Sequence, residues 1–192
     1  MTLESASGTF AVAFVCTGNR FRSVIAEATF RSAAEGLPLR VESYGTLELG
    51  PAEPLPSAVR EAHALGLDIS SHTARSLTDA DLTQTSLVVG FELHHAVAAV
   101  DVAGAPLERV FILPELVDLL DRIGVVRQPD PIDQAVENIA RAHANRGTDP
   151  RRRPGREIED PISLPRNAQR AIAQVVHGGA EALARQLFGR SG

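Results

Sequence analysis

The hydrophobic positions of the chain fall into short unbroken runs separated by longer stretches of helical period. Phe10 to Val15 reads Phe-Ala-Val-Ala-Phe-Val, an apolar run without alternation, which suits a strand buried on both faces of a parallel sheet. Leu39 to Tyr44, Ser86 to Phe91 and Arg109 to Leu113 read as three further strands. The first predicted helix is alanine-rich, reaches about Glu35 and is ended by Gly36 and Pro38. Others follow at Pro54 to Leu65, Glu92 to Val100, Pro114 to Ile123 and Ile132 to Asn145, with a closing helix from Arg166 to Phe188 broken near Gly178-Gly179. Strand and helix alternate. This predicts an α/β fold, a four-stranded parallel sheet with right-handed crossovers and helices on both faces. Residues 1–192 read as one domain without internal repeats, in which 124–159 is an extended helix-plus-loop insertion.

Composition narrows the chemistry. All 19 basic residues are arginine, which excludes a Walker-type lysine, a kinase-type lysine and a Schiff base. Aromatic content is 4%, with no Trp and one Tyr, so platforms for stacking nucleobases are lacking. A net charge of −5 argues further against nucleic-acid binding. No apolar run approaches the length of a membrane span, and Met1 to Thr9 lacks the basic start of a signal peptide. The expectation is a cytoplasmic protein with no membrane partner. The single cysteine, Cys16, rules out an intrachain disulfide and a multi-thiolate zinc site.

Cys16 stands where the first strand ends, ahead of Thr17, Gly18, Asn19, Arg20, Phe21, Arg22 and Ser23 and then a helix. In an open α/β sheet, ligands bind beyond the carboxyl ends of the strands. A loop feeding a helix N-terminus aims backbone N–H groups at one point, and the helix dipole adds positive potential. Arg22 can return a guanidinium to the same point and bind two phosphate oxygens. All three effects favour a thiolate. A lone cysteine is most often a small buried hydrophobe, but Gly18 and Asn19 tolerate left-handed backbone and Ser23 offers a hydroxyl at the helix start.

These residues resemble the signature loop of the low-molecular-weight protein tyrosine phosphatases. The resemblance continues through Ala26-Glu27, Ser43-Tyr44-Gly45-Thr46, Asp68 to Leu77, and Glu92 after the third strand, and ends at Asp160-Pro161 before the last helix. It implies that Cys16 attacks phosphorus to form a phosphocysteine while Arg22 and the loop amides stabilise the equatorial oxygens. Asp160 would protonate the leaving oxygen and then activate water. Asn19, Ser23, Ser43 and His72 match the network that holds the loop in shape. Phosphorylated proteins or small phosphate monoesters would be substrates, phosphate and related oxyanions inhibitors, and no metal or other cofactor is required. Asp-Pro occurs three times, at Asp130, Asp149 and Asp160, so Asp160 rests on its place before the closing helix, with Asp130 as the alternative acid or as the start of the helix at Ile132.

Several positions depart from the family pattern. Phe21 replaces a second cysteine, so no disulfide can protect Cys16 from over-oxidation. Arg20 replaces a small or aliphatic residue; it either favours an anionic substrate at the pocket mouth or is a solvated loop arginine. Val24 stands where proline is usual. Leu47-Glu48-Leu49 and Ile162-Ser163 put aliphatic residues where phosphotyrosine-directed members tend to carry aromatic ones, so phosphotyrosine preference comes from the resemblance alone. Arg151-Arg152-Arg153 with Arg156 is either a solvated loop or a steering patch for an acidic substrate. His94-His95 reads as an exposed pair without further metal ligands; His63, His143 and His177 sit on amphipathic helices. The competing functions are an arsenate reductase that uses an external thiol, a phosphoarginine hydrolase, which Arg20 disfavours, and a phosphate-binding module without turnover.

Overall fold

The computed structural model describes residues 9–147 and 157–189. Four strands, β1 (Phe10–Cys16), β2 (Leu39–Gly45), β3 (Leu87–Gly90) and β4 (Val110–Ile112), form one parallel sheet in the order β2-β1-β3-β4. Helices α1 (Arg22–Ala33), α2 (Pro56–Ala64), α3 (Leu93–Asp101), α4 (Leu113–Ile123), α5 (Pro131–Ala144) and α6 (Arg166–Phe188) complete it, and every predicted boundary falls within two residues of the observed one. Single 3₁₀ turns at Leu77–Asp79 and Leu107–Arg109 are additional.

The unbroken apolar run of β1 reflects its two buried faces. Phe10, Val12, Phe14 and Cys16 join the larger core layer with residues of α1, α2, α4, α5 and α6. Ala13 and Val15 face the opposite, thinner layer with Ala96 and Ala99 of α3. Phe10, Phe30 and Phe188 meet edge to face, tying β1, α1 and α6 together.

The predicted break in the last helix is absent: α6 runs uninterrupted for 23 residues. Gly179 instead permits a close approach, since a Cβ there would lie 3.0 Å from Leu113 Cδ2. A small residue was needed for packing, and the neighbouring turns carry the helix through it. Asn138 and Gln134 pin the segment before α5. Asn138 Oδ1 accepts the Val126 N–H and its amide donates to the Val126 carbonyl, while Gln134 donates to the Leu187 carbonyl on α6.

Connections from β1 run to β2 on one side, and the later strands lie on the other. The carboxyl ends of β1 and β3 therefore flank the point where the winding reverses, the place where such sheets bind ligands.

Candidate active site

Cys16 ends β1 and is buried, and α1 begins at Arg22, so the intervening loop wraps over the sulfur. The first N–H groups of α1 have no intrahelical acceptors and face this end of the sheet. Asn19 is, among the described residues, the one non-glycine with positive φ (51°). That conformation turns its own N–H to 3.3 Å from Cys16 Sγ. Gly45 at the end of β2 lets the loop approach, for a Cβ there would lie 3.0 Å from backbone atoms of Thr17, Gly18 and Asn19. The Thr46 and Leu47 N–H groups then donate to the Cys16 and Thr17 carbonyls.

The predicted supporting residues converge in one directed chain of hydrogen bonds. The Arg75 N–H donates to Asn19 Oδ1, which fixes the amide orientation, so Asn19 Nδ2 donates to both Ser23 Oγ (2.9 Å) and Ser43 Oγ (2.7 Å). Ser43 in turn donates to the buried Glu27 carboxylate. The Ser23 hydroxyl hydrogen is left for Cys16 Sγ, 3.0 Å away. Two donors thus meet the sulfur, as a thiolate requires. His72 Nε2 lies 3.0 and 3.1 Å from the carbonyl and Oδ1 of Asn19, both acceptors, so it carries the hydrogen. Burial pushes the His72 pKa down, partly offset by Glu27. Glu27 also pairs with Arg31 and Arg75.

Arg22 is 1% exposed, and both of its terminal nitrogens are fully engaged. Its Nη1 donates to Glu92 (2.5 Å) and to the Ile158 carbonyl (2.7 Å); its Nη2 donates to Asp160 Oδ2 (2.6 Å) and to Thr17 Oγ1 (3.0 Å). The segment bearing Asp160 is strapped to the end of β3. Glu157 accepts the Leu93 N–H at the start of α3, and the Ile158 N–H donates to the Phe91 carbonyl. Asp160 Oδ1 accepts the Ile162 N–H, which aims the other oxygen at Arg22.

The rival acid is elsewhere. Asp130 caps α5, accepting the Ile132 and Asp133 N–H groups. Asp149 and the Arg151–Arg153 and Arg156 cluster lie outside the described residues. Phe21 is buried. Arg20 donates through Nε to the Glu53 carbonyl (2.6 Å), and its carbonyl accepts the Leu55 N–H, so it latches the loop after β2. Leu47, Leu49 and Ile162 are exposed.

One expectation is overturned. His94 is exposed but His95 is fully buried, because Gly90 leaves room for it: a Cβ on Gly90 would touch His95 Cβ at 3.0 Å. Glu92 joins the two histidines, with ligand atoms within 4.8 Å of one another. This set does not suit a metal. Glu92 is ion-paired to Arg22, and both His95 nitrogens are hydrogen-bonded, leaving His94 alone. Glu27, Glu92, His95 and Ile158 are site residues to which sequence reasoning gave no role.

A family model for low molecular weight phosphotyrosine protein phosphatase matches residues 11–144. The chain belongs to the low molecular weight phosphotyrosine protein phosphatase family. Its members are hydrolases that form a phosphocysteine, and this chain is a phosphatase of that type. A protein-arginine-phosphatase of Bacillus subtilis (strain 168) is 32% identical over 120 residues, covering 59% of this chain and 79% of the relative. A low molecular weight protein-tyrosine-phosphatase of Streptomyces coelicolor (strain ATCC BAA-471 / A3(2) / M145) is 38% identical over 94 residues, 45% of this chain and 56% of that one. The fold matches the low molecular weight protein tyrosine phosphatase of T. tengcongensis at TM-score 0.65 and 24% identity, over 91% of this chain and 97% of that one. It also matches the tyrosine phosphatase Wzb of Escherichia coli K30 in complex with sulphate, at TM-score 0.65 and 18% identity over 94% and 99%. Among the described residues no helix is long and apolar enough to cross a membrane.

Proposed function

We propose that this phosphatase removes phosphate from phosphotyrosine in proteins, in the cytoplasm, with Cys16 as nucleophile, Arg22 as oxyanion clamp and Asp160 as general acid and then base. The observation that supports the roles is the chain of contacts at the winding reversal: the Asn19 N–H lies 3.3 Å from Cys16 Sγ, and Arg22 Nη2 joins Thr17 Oγ1, next to Cys16 in the chain, to Asp160 Oδ2 at 2.6 Å. An incoming phosphate dianion takes the place of the Asp160 carboxylate on Arg22. Displaced but still tethered by its own turn, Asp160 stands over the leaving oxygen. Cys16 Sγ forms the S–P bond as the P–O bond breaks, and Asp160 supplies the proton to the departing alkoxide or phenoxide. Water, deprotonated by Asp160, then attacks phosphorus and expels the thiolate, which Ser23 stabilises as leaving group.

The test is hydrolysis of para-nitrophenyl phosphate, a phosphotyrosine peptide and a phosphoarginine peptide by wild type, Cys16→Ser and Asp160→Asn. Loss of all turnover in Cys16→Ser, and a kcat/KM on the phosphotyrosine peptide well above that on phosphoarginine, support the proposal. The opposite preference would transfer it to phosphoarginine, a reading favoured by the name of the Bacillus relative and opposed by Arg20. Oxyanion binding without phosphate release would leave a binding module, and arsenate-dependent consumption of an external thiol would mark a reductase.

A further inference from the structure

The first turn of α3 grips Arg22 at both ends of its guanidinium. Glu92, the residue before the helix, takes Nη1 directly. His95, one turn on, reaches Nη2 through Thr17, 78 residues away in sequence: His95 Nε2 lies 3.0 Å from Thr17 Oγ1, and Arg22 Nη2 lies 3.0 Å from the same oxygen. The backbone N–H of Glu92 donates to His95 Nδ1 at 3.1 Å. A backbone N–H has no other role to play, so Nδ1 is unprotonated. The fully buried ring is neutral, with desolvation first and His94 and Arg22 next in pushing its pKa down to about 3. The hydrogen therefore sits on Nε2 and points at Thr17. Thr17 Oγ1 accepts from His95 and from Arg22, which occupies both lone pairs and leaves its own hydroxyl hydrogen to donate beside the phosphate position.

We propose that His95 is a positioning residue for the phosphate-binding site, acting through Thr17 to hold Arg22 Nη2 in line with the incoming oxyanion. The role is separate from the Asn19 network, which touches the sulfur and not the guanidinium. It rests on the reading of Cys16 and Arg22 as an oxyanion pocket, and tungstate binding by wild type, measured by calorimetry, checks that reading independently.

Two substitutions at His95 split the imidazole into its two halves. His95→Asn keeps an acceptor at the Nδ1 position for the Glu92 N–H but has nothing to offer Thr17; His95→Gln can reach Thr17 from the Nε2 position but abandons the Glu92 N–H. The positioning role predicts that His95→Asn weakens tungstate binding and lowers kcat/KM on para-nitrophenyl phosphate, each by about tenfold, whereas His95→Gln retains more of both. A purely structural role in starting α3 predicts the reverse order. At Thr17, which is partly buried and for which valine is isosteric, Thr17→Val should copy His95→Asn and Thr17→Ser should restore function, and the Val/Asn double variant should be no worse than either single one. Tungstate binding equal to wild type in Thr17→Val, with wild type binding normally, would overturn the proposal. Absence of binding by wild type would instead overturn the pocket reading beneath it.

Discussion

Asp160 holds the Arg22 nitrogen that, on the proposed roles, a phosphate oxygen takes, and this has a measurable consequence in Asp160→Asn. The pair is 2.6 Å apart, with the arginine 1% and the aspartate 37% exposed. Unit charges about 4 Å apart near a protein surface attract by about 4 kcal/mol at an effective dielectric near 20. The displaced carboxylate regains much of this through hydration, since it is partly exposed already, and exposed pairs contribute little net. What remains is about 1–2 kcal/mol opposing oxyanion binding, roughly 5- to 30-fold in Kd. Asp160→Asn removes the competitor together with its repulsion of the bound dianion, so tungstate and phosphate should bind tighter by that factor. The same change removes the proposed proton donor, so kcat/KM should fall by about 10² or more on a poor leaving group such as phenyl phosphate and by less on para-nitrophenyl phosphate. Calorimetry with tungstate and steady-state kinetics on the two esters give both numbers from one preparation. Oxyanion binding unchanged or weakened in Asp160→Asn would refute the competition, and an equal loss of kcat/KM on both esters would refute the acid role.

Other consequences follow from the same geometry. His95 is neutral in the folded chain down to about pH 3 but titrates near pH 6.5 when unfolded, so the unfolded state binds the extra proton first. Stability from this group is full above pH 6.5 and is lost as pH falls, by up to about 1.4 kcal/mol per pH unit, and urea melts from pH 7 to pH 5 should show a shallower decline in His95→Asn. Gly45→Ala, whose Cβ would press on backbone atoms of Thr17, Gly18 and Asn19 at 3.0 Å, should abolish tungstate binding; normal affinity would show that the loop can give way there. Glu27→Gln offers Ser43 a donor in place of an acceptor and can reverse the chain of hydrogen bonds toward Ser23, so it should lower kcat on phosphoester hydrolysis by about tenfold while a thermal melt shows a folded protein. With one cysteine in the chain, peroxide-treated enzyme should gain two or more oxygens on Cys16 by mass spectrometry and stay inactive after dithiothreitol, and full recovery would contradict this.

The parts of the site that the sequence displayed are those close together along the chain, and those it concealed are joined across the sheet. Cys16, Asn19, Arg22 and Ser23 share one loop whose strand-before and helix-after were plain from apolar pattern and alanine content. Asp160 was legible only through its place before α6, and Asp130 is told apart from it by capping α5. Glu27 enters the sequence reading only within the family pattern, yet it carries a signal of its own: it lies one turn after Ser23 on the buried face of α1, and a carboxylate there demands partners. His95 was harder. A His-His pair at the start of a helix reads as solvated, and nothing within α3 says otherwise. What turns His95 inward is Gly90, the last residue of β3, and what gives it a partner is the order β2-β1-β3-β4, which sets the end of β3 beside the end of β1. The oxyanion pocket therefore has two supports of different origin. The Asn19 network, built largely from α1 and the ends of β1 and β2, orients the sulfur; the first turn of α3 orients the guanidinium. A substitution in one should alter thiolate chemistry and in the other oxyanion affinity, and that division is the reason to measure binding and turnover separately in this enzyme.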